Sequence, residues 1–297
     1  AREEAIFAGA STGANVVALQ AMTRRWEAVV CSATAHVNVD EGGAPEHGAG
    51  LKLWTVPTPD GKLTPALIDT QAWGFGDVHR AQPGAVTLTQ STELGTLYTV
   101  EEISAITEHA HSLRVGVHVD GARIGNAAAS LGTGFRAFTT DAGVDAICFG
   151  GTKNGLMIGE AVIVLNEPAA PGVDFLRKSS MQLASKMRFI SAQLLALLTD
   201  DLWLRNAQHA NAMAATLDAR VRQIPGVDVS RPVQANAVFA VLPADVTERL
   251  QQRFKFYTWD QTTGEVRWMC SWDTTQADVD AFTTAIAQEM AAEGASA

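Results

Sequence analysis

From Ala14 to Arg25 the apolar side chains Val16, Val17, Leu19, Ala21 and Met22 recur with helical spacing, behind a small polar start at Ser11, Thr12 and Gly13. The run "EAVVCSA" reads as a short buried strand, "LKLWTVP" as another, and "LTPALIDTQAWG" as a helix opened by Thr64 with Pro65 in its first turn. "GAVTLTQST" predicts a strand, "TVEEISAITEHAHSLR" a helix with a capping box starting at Thr99, and "VGVHVDGA" a strand that ends on Asp120. "VDAICFGG" and "AVIVLN" are two further apolar runs of strand length. This order of strand and helix predicts an α/β fold with an open, mostly parallel sheet over residues 1 to about 170, and ligands of such sheets sit beyond the carboxyl ends of the strands.

From Phe175 to Ala219 the pattern stays helical, until Pro and Gly in "QIPGVDVSRPVQ" interrupt it. Beyond that break, "ANAVFAVL", a helix at "ADVTERLQQRF", the runs "FKFYTWD" and "GEVRWMCSW", and a last helix from Gln276 predict a smaller α+β domain. The expected division is a large domain over residues 1–200 and a small carboxyl-terminal domain over 201–297.

Composition narrows the function. With 297 residues, 47% of them hydrophobic, the chain has material for a large core. A formal charge of -10 and a pI near 5.1 argue against nucleic acid as a partner, since a phosphate backbone calls for a basic surface. Cys31, Cys148 and Cys270 are odd in number and set among apolar residues, which predicts buried reduced thiols rather than a disulfide or a metal site, and with them a cytoplasmic location. Glu160 interrupts the longest apolar stretch, so no membrane span is expected.

Two residues stand out chemically. Asp120 closes the run Val115, Val117, Val119, and carboxylates rarely end buried strands without a partner. A helix cap or a bridge to Arg123 would also explain it. Lys153 sits in "FGGTKNG" one strand-like run later; the spacing of Gly151 and the following Asn154 do not fit a Walker loop. A packed stem with a solvated head is the ordinary fate of a lysine. The small residues around it instead leave room for a bulky ligand, and a desolvated lysine is a nucleophile toward a carbonyl cofactor. A lysine for the Schiff base and a carboxylate to hold a ring nitrogen protonated are what pyridoxal phosphate chemistry requires. "GASTGANV", residues 9–16, supplies a helix start able to face the phosphate.

Together these stretches resemble the low-specificity L-threonine aldolases, in the β-eliminating lyase-like group of fold-type I, aspartate-aminotransferase-like pyridoxal 5'-phosphate enzymes. "STGAN" is similar to the family's phosphate-binding "GTxAN", "TAHVNVDEGGAPE" to its "xAHxxxxEGGA", and "HVDGARIGNAA" to its "HVDGARxxNAA". The resemblance implies a large domain with a mostly parallel, seven-stranded-type sheet. It gives Ser11, Thr12 and Gly13 to the phosphate, His36 to stacking on the cofactor ring, Asp120 to the pyridine nitrogen, and Lys153 to the Schiff base. Arg123 goes to substrate or cofactor oxygens, and Arg267 in "EVRWMCSWDTT" to the substrate carboxylate. More loosely, "RKSSMQLASKMR" suggests that Lys178 and Arg188, with Lys186 beside them, reach a neighbouring subunit's cofactor phosphate.

The activity so implied is cleavage of L-threonine, L-allo-threonine and similar β-hydroxy-α-amino acids to glycine and an aldehyde, in a homo-oligomer that is a dimer of dimers with shared sites. Phenylserine-type substrates or β-elimination form an alternative, with Trp54, Trp73 and Tyr98 either lining an aromatic pocket or lying in the core. A non-catalytic α/β binding protein is a second. The chain departs from the family where Thr92-Glu93-Leu94-Gly95 replaces a Thr-His-Asn-Gly stretch, so the hydroxyl base is left open among His36, Glu93 and a bound water, with Glu93 readable too as a solvated loop carboxylate. It also starts without a helical segment that the family usually carries before "AREEAIF", and such a segment is expected to be missing.

Overall fold

Alternation of apolar side chains builds the central sheet, and in the computed structural model, which describes residues 4–8 and 11–294, it has seven strands. In chain order the first elements are β1 (Glu4–Ala8), α1 (Ser11–Met22), β2 (Glu27–Ser32), α2 (His36–Val39), β3 (Lys52–Val56), α3 (Pro65–Asp69), β4 (Gln82–Thr89) and α4 (Val100–Ser112). Next come β5 (Gly116–Gly121), α5 (Ile124–Leu131), β6 (Ala146–Gly150), β7 (Glu160–Val164), α6 (Val173–Ser179), α7 (Arg188–Leu198) and α8 (Leu202–Val221). The strands lie in the order β1-β7-β6-β5-β4-β2-β3. The ladders joining β6, β5, β4, β2 and β3 are parallel, whereas β7 runs antiparallel to both β6 and β1. The sheet is therefore mostly parallel, as expected.

Period-two alternation sends Val117 and Val119 to one face, with Val86, Leu88, Ile147 and Phe149. It sends Ala85, Cys148 and Val162 to the other, where α1 packs with Ala14, Val17, Ala18 and Leu19. Gly116, His118 and Asp120 belong to this α1 face. Helix α1 is almost wholly buried on its sheet side, and its small residues allow close packing across β7, β6, β5 and β4.

Several boundaries differ from the periodicity. Helix α1 starts at Ser11 and ends at Met22, three residues before each expected end, and the chain then turns, with Glu27 N–H donating to Arg24 O. Thr64 does cap α3, accepting from Leu67 N–H at 3.3 Å, but the helix lasts only five residues before Thr70 and Gln71 form turns. Helix α4 has both halves of its capping box: Glu102 N–H donates to Thr99 Oγ1 at 3.2 Å, and Thr99 N–H donates to Glu102 Oε2 at 2.8 Å. The expected helical stretch from Phe175 to Ala219 is three helices. Residues 180–187 separate α6 from α7, and Asp200 and Asp201 take positive φ values (50° and 54°) that a helix cannot hold. Helix α5 was not among the expected elements, although Ile124, Ala127, Ala128 and Leu131 recur in it at helical spacing.

The chain forms two compact units, residues 1–203 and 204–297. The second holds most of α8, then β8 (Asp228–Val229), β9 (Ala237–Val241), α9 (Ala244–Gln251), β10 (Tyr257–Asp260), β11 (Glu265–Met269) and α10 (Gln276–Gly294). Its four strands lie in the antiparallel order β10-β11-β9-β8, covered by Leu217, Val246, Leu250 and Ile286 from its helices.

Where β5 and β6 leave the sheet, the backbones approach too closely for side chains. A Cβ on Gly150 would lie 2.5 Å from Ala122 O, and one on Gly121 2.6 Å from Cys148 O. Backbone cannot swing aside as a side-chain tip can. Gly150→Ala is expected to lower stability by about 2 kcal/mol or more, as overpacking against fixed atoms does; an unchanged urea midpoint would contradict the close approach.

Candidate functional site

Parallel strands bring their carboxyl ends to one rim. His36 follows β2, Glu93 follows β4, Asp120 lies near the end of β5, and Lys153 follows β6. Because β7 runs the other way, its first residue, Glu160, stands at that rim as well, opposite Gly150. Strand β1 is parallel to β6, so α1 begins at the rim, where its first-turn amides lack helical partners.

Asp120 is 3% exposed and fully engaged. Its Oδ2 accepts from Asn15 Nδ2 at 2.8 Å, its Oδ1 accepts from Ala122 N–H at 3.0 Å, and its backbone oxygen accepts from Gln90 N–H at 2.9 Å. These partners, rather than a bridge to Arg123 or a helix cap, account for the buried carboxylate: Arg123 occupies the N-cap position of α5, without a side-chain cap. The same Asn15 Nδ2 donates to Glu41 Oε1 at 2.8 Å, and that oxygen also lies 2.9 Å from His36 Nδ1. Both neighbours of the amide are carboxylates, which fixes its nitrogen toward them. The hydrogen bond to Glu41 is the main reason the His36 imidazole titrates above its usual range.

Glu93 is buried, which corrects the reading of a solvated loop carboxylate. Its Oε1 accepts from His36 N–H at 2.8 Å, while Oε2 has no hydrogen-bond partner among the described residues. Burial, reinforced by the charge of Asp120, pushes its carboxyl from 4.5 up to about 7. The half-buried Arg123 guanidinium is lowered from its ordinary value by burial, with Glu93 and Asp120 opposing that shift.

Lys153 is exposed rather than desolvated, because a short 3-10 turn, Thr152–Asn154, lifts it off the end of β6. Beneath that turn Glu160 is 2% exposed and accepts from the amides of Gly151 (3.2 Å) and Thr152 (3.4 Å). Its carboxyl is raised by burial. Asn154 anchors the far side of the turn, donating to Trp203 O at 3.0 Å.

Ser11, Thr12 and Gly13 are half-buried in the first turn of α1; Gly9 and Ala10, which complete the expected phosphate stretch, lie outside the described residues. The face of Gly13 is covered by Gln182, whose side chain would lie 2.4 Å from a Cβ there. Lys178, Lys186 and Arg188 are exposed, and no hydrogen bond or ion pair among the described residues joins Lys178 or Arg188 to the Asp120 group. Arg188 instead lies 5.0 Å over the ring of Phe189. Arg267, on β11 of the second unit, is half-buried with its guanidinium 4.0 Å over Trp259.

The three aromatic candidates do not form a pocket wall. Tyr98 and Trp54 are in the core, with Tyr98 Oη accepting from Leu63 N–H at 2.7 Å, while Trp73 is exposed and stacks on Arg80 at 3.6 Å. The three cysteines are buried free thiols, and no helix among the described residues is long and apolar enough to cross a membrane.

Residues 2–244 match the family model described as beta-eliminating lyase. The chain belongs to the beta-eliminating lyase family. Within it, a protein of a Pseudomonas species named low specificity L-threonine aldolase is 44% identical over 291 residues, spanning 97% of this chain and 84% of the relative. A Pseudomonas aeruginosa protein of the same name is 46% identical over 273 residues, spanning 91% and 79%. The solved structure of Leishmania major threonine aldolase superposes with a TM-score of 0.90 at 29% identity, over 97% of this chain and 84% of that one. The resemblance and the fold-type I architecture expected from the sequence are thereby established.

Three site residues were not legible as such. Asn15 and Glu41 stand in the stretches "STGAN" and "TAHVNVDEGGAPE" that carry the resemblance, but no role is read for either, and Glu160 serves only to interrupt an apolar run. Polar residues at positions whose neighbours are core were the available signal.

The raised Glu93 carboxyl has a stability consequence. Between 4.5 and about 7 the folded chain holds a proton there that the unfolded chain has released, so stability falls as pH rises through that window. Glu93→Gln is expected to flatten this part of the curve of urea midpoint against pH; an identical slope in the variant would contradict the assignment.

Proposed function

We propose that this chain is a carbon-carbon lyase that cleaves threonine-type β-hydroxy-α-amino acids to glycine and an aldehyde with pyridoxal 5'-phosphate. The observation that carries the reading is the shared rim: Asp120 and Lys153 leave adjacent strands, with His36 and the start of α1 beside them, in a chain 44% and 46% identical to two proteins named L-threonine aldolase.

The donors present fit that cofactor. Asp120 is a buried carboxylate that accepts from Asn15 Nδ2 and the Ala122 amide, placed to pair with a protonated pyridine nitrogen. Lys153 supplies the amine that would hold the cofactor covalently, and His36 the ring that would stack on it. Ser11, Thr12 and Gly13, with the amides of α1, would take the phosphate. Arg123 would meet cofactor or substrate oxygens, and the resemblance gives the substrate carboxylate to Arg267. When bound, the cofactor supplies an electron sink for the pair released as the Cα–Cβ bond breaks.

The protein's own part is positioning and proton transfer. Glu93 Oε2, without a hydrogen-bond partner among the described residues and on a carboxyl raised to about 7, is suited to accept the β-hydroxyl proton as the aldehyde forms. His36 or a bound water remains the alternative base of the reading.

The assembly proposed is a dimer of dimers in the cytoplasm. Met157, Ile158, Phe175, Met181, Phe189 and Leu195 are large apolar side chains left exposed along residues 157–195, which suits cover by a second copy. Lys178 and Arg188 belong to that same region, and in the proposal they serve the partner's phosphate.

Incubation with pyridoxal 5'-phosphate and L-threonine is expected to release glycine and acetaldehyde, and a keto acid with ammonia instead would refute aldol cleavage. Lys153→Ala should lose both the visible band of the bound cofactor and glycine release. Asp120→Ala should keep the cofactor but lose activity by about a hundredfold or more; normal turnover would remove Asp120 from the chemistry.

A further inference from the structure

Beneath the rim, one side chain touches both carboxylates of the Asp120 group. Asn15, 0% exposed on the sheet side of α1, uses a single amide nitrogen to donate to Asp120 Oδ2 and to Glu41 Oε1, both at 2.8 Å. Glu41 Oε1 in turn accepts from His36 Nδ1 at 2.9 Å. The result is a continuous chain, His36 to Glu41 to Asn15 to Asp120, in which every link is shorter than 3.0 Å. Nothing in the packing of α1 requires an amide at this position, since its buried neighbours Ala14, Val17 and Ala18 are apolar.

We propose that Asn15 is a positioning residue that sets the Asp120 carboxylate directly and the His36 ring through Glu41. The inference rests on the reading above that Asp120 and His36 hold the cofactor ring. Two buried carboxylates this close repel, and a neutral donor placed between them offsets that repulsion. The two N–H groups of one amide satisfy both oxygens without adding charge. Glu41 then has its Oε1 fixed, so the Nδ1–H of His36 is held by a defined acceptor and the outward nitrogen, Nε2, is left as the variable one. Asn15 itself need touch neither substrate nor cofactor.

The inference explains why Glu41 is buried to 7% exposure with only one oxygen partnered: its Oε2 has no hydrogen bond among the described residues, and its function is to join two neighbours rather than to be saturated. It also separates Asn15 from the phosphate-binding residues Ser11, Thr12 and Gly13 that precede it. They lie at the helix start, whereas Asn15 points down the sheet side to β5.

The test compares wild type with Asn15→Leu, which keeps the side-chain size but removes both donors, and Asn15→Ser, which keeps one donor and leaves room for a water. Pyridoxal 5'-phosphate affinity is measured by quenching of tryptophan fluorescence, and the His36 ring nitrogens by NMR in the cofactor-free protein. Asn15→Leu is expected to weaken cofactor binding by about ten- to a hundredfold, as loss of a charge-assisted hydrogen bond does, with Asn15→Ser between it and wild type. The His36 Nδ1–H signal should move in both variants and in Glu41→Gln. Folded Asn15→Ser with unaltered affinity and unaltered His36 signals would overturn the proposal, and so would a His36 change in Glu41→Gln that neither Asn15 variant shows. If Asn15→Leu does not fold, Asn15→Ser decides alone. Failure of the wild type to bind the cofactor would instead strike the functional reading on which the inference rests.

Discussion

A carboxylate buried at the end of a strand is the constraint around which the rim is arranged. Asp120 sits where β5 leaves the sheet, on the face covered by α1, and a charge there is tolerated only with donors on both oxygens. One donor comes from the backbone turn that follows, the other from a helix that precedes it by 105 residues. That requirement ties α1, β5 and the turn into α5 together. It also explains why an amide rather than another apolar residue occupies position 15.

The same rim shows how charge is balanced without one dominant ion pair. Glu41 is held on one oxygen by Asn15 and His36, Glu160 by two backbone amides, and Glu93 on one oxygen by the His36 amide. Glu93 differs from Asp120 because its second oxygen is unmatched, so burial dominates and its carboxyl rises to about 7. The two carboxylates thus differ in their partners: Asp120 has a donor on each oxygen, whereas Glu93 is suited to exchange a proton near neutrality.

Geometry around Lys153 depends on small residues and on strand direction. Gly121 and Gly150 let the turns after β5 and β6 touch, which a side chain would prevent. Antiparallel β7 then returns Glu160 to the same edge, where it receives the Gly151 and Thr152 amides and orients the turn that carries the lysine. Had β7 been parallel, its first residue would have stood at the opposite edge.

Much of this was written locally. Alternation in "VGVHVDGA" placed Asp120 opposite the face of Val117 and Val119, the Thr99 start carried its own cap, and the spacing of "HVDGAR" and "FGGTKNG" put Asp120 and Lys153 at neighbouring strand ends. These features depend on residues a few positions apart, so periodicity and caps suffice to read them. Long-range burial decided the rest. Glu93 reads as a loop carboxylate until β4, β5 and α2 enclose it, and Asn15, Glu41 and Glu160 have no meaning until strands and a helix far apart in the chain bring their partners within hydrogen-bonding distance. Desolvation and shared donors exist only in three dimensions, so the sequence determined which groups stand at the rim, and the tertiary structure decided which of them find donors and which carboxyls burial raises.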